Sequence, residues 1–272
     1  MSAVDDLRRT LGLEGIETTN MELLVELADL TIPTLPVPRE RSLEMWKGLR
    51  GLVPRTGRWP VLFHDPDGEE RERLVEDSFE EVPGWESVQN AIQRSRTLDV
   101  TGWFAANLRA HEQGSRGLPR GDWPAQVRRS QSAGGFPPRA ATPDGDEFWA
   151  CTGVRSRGQI SAEVLIALVP VLESWQVAPA MAFGGWNECP FGFEHAAVHR
   201  YWSERFGAEV VAMNTNTVEL WVARPPMERG SSIDLALEQF AYCEDIIYQG
   251  YQTVEGLAAI LTGSQVWSFW WD

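Results

Sequence analysis

The sequence predicts an α+β fold in three stretches: a mostly helical region over 1–113, a basic linker or loop over 114–147, and an α+β module over 148–272. Three observations predict it. Apolar residues recur at helical spacing through most of the first 114 positions. Gly, Pro, Ser and Arg then take over in GSRGLPRGDWPAQVRRSQSAGGFPPRAATPDG, where few residues can pack. Beyond it, short apolar runs alternate with amphipathic stretches without a repeating βα unit, which separates α+β from doubly wound α/β.

In chain order, Val4–Leu13 and Met21–Ala28 have helical spacing, with Asn20 as the expected cap of the second. Pro33, Pro36 and Pro38 interrupt the chain before a third helix from Glu40 to Leu52. Trp59–Phe63 reads as a short strand between Gly57 and the turn Asp65-Pro66-Asp67-Gly68, with Pro60 at its start or on an edge. Helices are expected over Glu69–Phe79, Trp85–Arg96 and Val100–Glu112. Val164–Val169, continuous and apolar, suits a buried strand, and Ala180–Phe183 a second. Phe193–Arg205 reads as a helix, Glu209–Met213 and Val218–Ala223 as a hairpin about Asn214-Thr215-Asn216. Ser231 or Ser232 caps a helix to Ile247, Thr253 caps another to Leu261, and Val266–Trp271 is a terminal strand.

Composition bounds the function. The 272 residues, 43% hydrophobic with 13 Trp, can bury a large core. No run approaches the roughly 18 apolar residues of a membrane helix. The acidic, mixed start MSAVDDLRRTLGLEG lacks the pattern of a signal peptide. Cys151, Cys189 and Cys243 are too few and uneven for a disulfide framework, so a cytoplasmic location is expected. A net charge of −15 opposes nucleic-acid and anionic-membrane binding and favours a protein partner, a basic one by charge. Lys47 is the sole lysine beside 23 Arg, which removes a phosphate loop and a Schiff base and suits a GC-rich bacterial genome. In the linker before Thr142, five Arg (Arg116, Arg120, Arg128, Arg129, Arg139) face one acid, Asp122. That strip either folds back on the acidic body or docks an anionic partner.

Several segments carry a resemblance: Trp186-Asn187-x-Cys189-Pro190, Arg200-Tyr201-Trp202, Phe206-Gly207-Ala208-Glu209, Thr217-Val218-Glu219-Leu220, Tyr242-Cys243-x-Asp245-Ile246 and Phe269-Trp270-Trp271-Asp272. Over about 164–272 the chain resembles the bacterial family called domain of unknown function 4253. Gly57-Arg58-Trp59-Pro60 resembles the amino-terminal part of its longer members. The resemblance implies a compact carboxy-terminal module and carries no activity.

Candidate sites gather at that module. His195 and His199, four apart on one helix, could join Cys189 and Cys243 in a tetrahedral zinc site; no other cofactor is expected. The other reading is two histidines leaning to solvent and two inert, buried cysteines. Cys189, just before a helix, could instead be a nucleophile with a dipole-lowered pKa, with His195, His199 or Glu194 as its acid–base partner. Glu209 and Glu219, on consecutive strands, could meet across the hairpin and chelate a metal, or simply line half-buried strands. Gly184-Gly185 permits a close backbone approach without the spacing of a phosphate loop. Trp186, Trp270 and Trp271 are the interface candidates, since Trp270 and Trp271 point to opposite faces of a strand and one can stay exposed. Three functions follow: an immunity-like or adaptor protein-binding module, a thiol- or metal-dependent enzyme at Asn187–His199, or a structural component of an assembly.

Overall fold

The computed structural model describes residues 3–27, 29–63, 84–114, 117–124, 148 and 162–271. Helix Glu69–Phe79, the turn before it, Cys151 and most of the linker lie outside these residues. A seven-stranded mixed sheet organises the chain, in the order β1-β2-β4-β3-β5-β6-β7. The strands are β1 (Glu22–Glu26), β2 (Thr31–Pro38), β3 (Trp59–Phe63), β4 (Glu163–Val169), β5 (Ala208–Met213), β6 (Thr217–Val222) and β7 (Val266–Trp270). Only β3 and β5 run parallel; every other neighbouring pair is antiparallel. The regions on either side of the linker therefore share one sheet, and β3 sits between β4 and β5.

Among the described residues the α-helices are α1 (Ala3–Leu13), α2 (Ser42–Gly51), the single turn α3 (Val53–Thr56), α4 (Gly84–Thr97), α5 (Val100–Gln113), the single turn α6 (Val177–Ala180), α7 (Gly192–Phe206), α8 (Arg229–Tyr242) and α9 (Val254–Leu261). They cover both faces. Arg50 of α2 bonds Glu209, which shares a face with Trp221. Trp202 of α7 stacks on Phe269 and meets Trp267, on the opposite face, where Trp267 pairs with Leu220. Burial of these aromatics adds to the apolar driving force of the largely aliphatic core, at about 25 cal/mol per Å² removed from water.

Three expectations are corrected. Met21–Ala28 is not a helix but contains β1, so Asn20 caps nothing there. A register shift between Leu23 and Val25 puts Leu24 and Val25 both inside, which hides the alternation of a strand. Pro33, Pro36 and Pro38 lie in β2; Pro33 and Pro36 are inside the strand and Pro38 is its last residue. The β2–β4 pairing begins at Thr34↔Ala167, next to Pro33, which has no N–H to extend it; Arg58 Nη1 donates to the Leu168 carbonyl (2.9 Å) and to Thr31 O (2.6 Å). Pro60, in a central strand, is matched the same way: Trp59 Nε1 donates to Val210 O of β5 at 2.9 Å. Ala180–Phe183 forms no strand; it follows the turn of α6.

The helix expected from Ser231 or Ser232 to Ile247 is α8, which starts at Arg229 with Glu228 at its cap and ends at Tyr242, while several other expectations hold. Thr253 caps α9, its hydroxyl accepting from Gly256 N. The hairpin turns at 214–216. Part of the basic stretch folds back: Arg120 pairs with buried Glu255 (2.7 Å), which also accepts from Gly121 N, and Pro119 O accepts from Val254 N.

Candidate functional site

The site begins with a turn. Gly184 and Gly185 have φ of +97° and +92°, and Asn187 is left-handed at +48°. A Cβ on Gly184 would lie 2.0 Å from the Pro190 carbonyl oxygen and 2.8 Å from the His195 ring, so only glycine fits. Gly185 N donates to Pro190 O (3.0 Å) and Cys189 N to Trp186 O (2.9 Å). The chain folds over itself and tucks Cys189 beneath exposed Asn187 and Glu188. Glu194 then starts α7: its carboxylate accepts from Phe191 N (2.9 Å) and from Trp103 Nε1 of α5 (2.9 Å). Its position is that of a helix cap and inter-helix tie.

Inside, α7 and α8 assemble an unbroken polar chain. Cys189 Sγ lies 3.4 Å from His195 Nε2. His195 Nδ1 is 2.6 Å from the Tyr242 hydroxyl, which is 2.9 Å from His199 Nε2. Tyr242 carries one proton, so it donates to one imidazole and accepts from the other. The Pro190 carbonyl beside His195 favours the proton on Nε2 of that ring. Tyr242 then donates to His195 Nδ1 and accepts from His199 Nε2–H. Among the described residues His199 Nδ1 is left as a lone pair without a partner, and the buried amide of Gln239, three residues before Tyr242, likewise has none.

Electrostatics keep every member neutral. Burial, then neighbouring His199, holds His195 well below the ordinary imidazole range. Burial brings His199 down to about 3. Burial pushes the Tyr242 phenol well up. The expectation of a dipole-lowered Cys189 is overturned: burial, then Cys243, pushes the thiol well up, and the backbone hydrogen bond from Gly185, which acts the other way, does not offset them. The expectation that the histidines lean to solvent fails too, since they are 0% and 1% exposed.

The four proposed zinc ligands do not converge. His195 turns one nitrogen to Cys189 and the other to Tyr242, and Cys243 donates to Trp270 O (3.0 Å), with burial pushing its thiol up to about 12. No group of three or more metal-type side chains forms among the described residues. Glu209 faces Trp221 and pairs with Arg50, whereas Glu219 faces Ala212 and accepts from Ser268, so they do not meet. Trp270 and Trp271 point to opposite faces as expected, yet both are buried, because α8 and the π-helical turn Ile246–Tyr251 close over the sheet edge. Trp271 packs edge-on against His195 and Tyr242 (both 5.3 Å between centroids) and cannot be an exposed anchor. Trp186, half-buried against Phe183, remains.

Tyr242 is the residue that sequence reasoning missed. Ser232, Leu235, Gln239 and Tyr242 form one core-facing stripe of α8, and a phenol on such a stripe needs a polar partner. That requirement was the available signal. Cys189, Trp202, Tyr242, Cys243, Phe269 and Trp271, drawn from separate resembling segments, meet in this one cluster. Residues 165–272 match the family model Domain of unknown function (DUF4253). The chain matches no curated protein and no solved structure. In the DUF4253 region, then, the resembling residues build a sealed aromatic and polar core. No described helix is long and apolar enough to cross a membrane.

Proposed function

We propose that this chain is a protein-binding module whose contact surface is the Gly185–Phe191 turn with the aromatic residues beside it. One observation carries the reading: Phe191 is 58% exposed on a turn pinned by two hydrogen bonds, while the groups suited to catalysis lie closed and neutral beneath it. A large apolar side chain on a stiff support binds with little loss of conformational freedom. Half-buried Trp186 and Phe193, stacked 6.1 Å from Phe191, widen the surface.

The test is affinity capture from the native host at low salt, comparing wild type with Phe191→Ser. A stoichiometric partner held by wild type and lost by an equally stable variant supports the reading. Equal retention by both, or a clean monomer from wild type, overturns it. A second reading has its own observation. With the His195 proton moved to Nδ1, where the Tyr242 hydroxyl accepts it, Cys189, His195 and Tyr242 stand in the order of nucleophile, base and orienting group. Thiol chemistry there requires Cys189 to react with iodoacetamide at neutral pH faster than Cys151 and Cys243; negligible labelling in the folded protein removes it.

A further inference from the structure

We infer that the face built from Phe191, Phe193, Arg94, Arg96 and Arg200 docks an acidic segment of a partner protein that carries apolar anchors. The inference rests on the binding reading and adds the chemistry of the partner. Elsewhere in this acidic chain arginines find carboxylates, as Arg50 does with Glu209, Arg55 with Glu14 and Arg205 with Glu238. Arg94 and Arg96, both exposed in the last turn of α4, have no ion pair among the described residues. They lie on aromatic rings instead. The Arg94 guanidinium carbon is 3.5 Å from the Phe193 ring centre, and that of Arg96 is 5.8 Å from Trp175.

Arg200 of α7 approaches the same indole at 5.9 Å and reaches the Arg96 carbonyl at 3.5 Å. Its own carboxylate contact, to the exposed Glu204, is long at 3.9 Å. Aromatic stacking fixes a guanidinium plane while its in-plane N–H groups stay free, which suits bidentate capture of carboxylates. Phe191 completes the strip as an apolar contact stacked on Phe193. Cation and ring thus alternate across the ends of α4 and α7. The whole-chain charge of −15 would draw a basic partner; this face reverses that sign locally. The same overall charge disfavours long polyphosphates, whose binding depends on many clustered cations, more than a short acidic peptide.

The test is fluorescence anisotropy of the full chain with a labelled acidic peptide of about twelve residues containing two phenylalanines. Saturable binding is expected, weakened at least about tenfold by Arg94→Glu with Arg96→Glu, and by Phe191→Ser. The charge-matched control Arg9→Glu with Arg41→Glu should leave it unchanged, and circular dichroism should show all variants folded. No saturable binding, equal loss in the control, or preference for an oligothymidylate or phosphatidylserine vesicles overturns the inference. So does self-association in light scattering that the Arg94/Arg96 variant abolishes. Host capture separates the two proposals. A partner lost by Phe191→Ser but kept by the Arg94/Arg96 variant leaves the binding reading standing and sinks this one.

Discussion

Acid should unfold this protein through His199 and His195, and the size of the effect follows from their burial. An imidazole in the unfolded chain has a pKa near 6.5, and His199 in the fold is down to about 3. The unfolded state therefore binds the proton first. Stability is fully present above pH 6.5 and is lost as the pH falls toward the folded value. Between pH 7 and pH 5 His199 alone removes about 2 kcal/mol, at a slope approaching 1.4 kcal/mol per pH unit. His195, held well below the ordinary range, adds in the same direction. The assay is urea unfolding at both pH values for wild type and His199→Gln, whose amide can still donate to Tyr242 but does not titrate. Subtraction cancels the carboxylates and the burial of His195, which both proteins share, while the smaller influence of His199 on His195 adds to the difference in the same direction. Wild type should lose about 2 kcal/mol more than the variant. Parallel losses would show that His199 is accessible to protons in the fold, and the sealed-core reasoning would fall.

Three further outcomes follow from particular contacts. Tyr242→Phe removes one hydroxyl and strands two buried imidazole nitrogens, so urea unfolding should show a loss of about 2–4 kcal/mol at pH 7. Arg58→Gln uncovers the Thr31 and Leu168 carbonyls; a drop of about 2–3 kcal/mol is expected, with hydrogen exchange rising first in β2 and β4. Gly184→Ala must move the Pro190 carbonyl and the His195 ring. It should cost more than about 2 kcal/mol and speed iodoacetamide labelling of Cys189, and unchanged stability would refute the tight turn.

How much was legible in the sequence depended on which force fixed each element. The helix around 192–206, the hairpin and the Thr253 cap were readable because local spacing and local hydrogen bonds set them. β2 was hidden because its prolines violate the backbone rule and the repair comes from Arg58, far along the chain. The candidate site was half legible. Helical spacing put His195 and His199 on one side, but the amphipathic period does not tell a polar side chain facing water from one facing a buried phenol. Only the arrival of Tyr242 from α8 decides that. The Cys189 shift failed for a related reason: a helix dipole is read from position, whereas burial depends on what folds over it.

The placement of β3 has a consequence for inheritance. The stretch that a family signature traces, 165–272, takes in most of β4 and all of β5 but not the strand that joins them. A gene fragment covering only that stretch would encode β4 as a lone strand, without β2 or β3, and a β5-β6-β7 sheet with a bare edge, each a template for aggregation. To fold in another host, residues 165–272 of this chain would need a strand equivalent to Trp59–Phe63. What recombination can move and what water will let fold are, for this chain, different lengths of polypeptide.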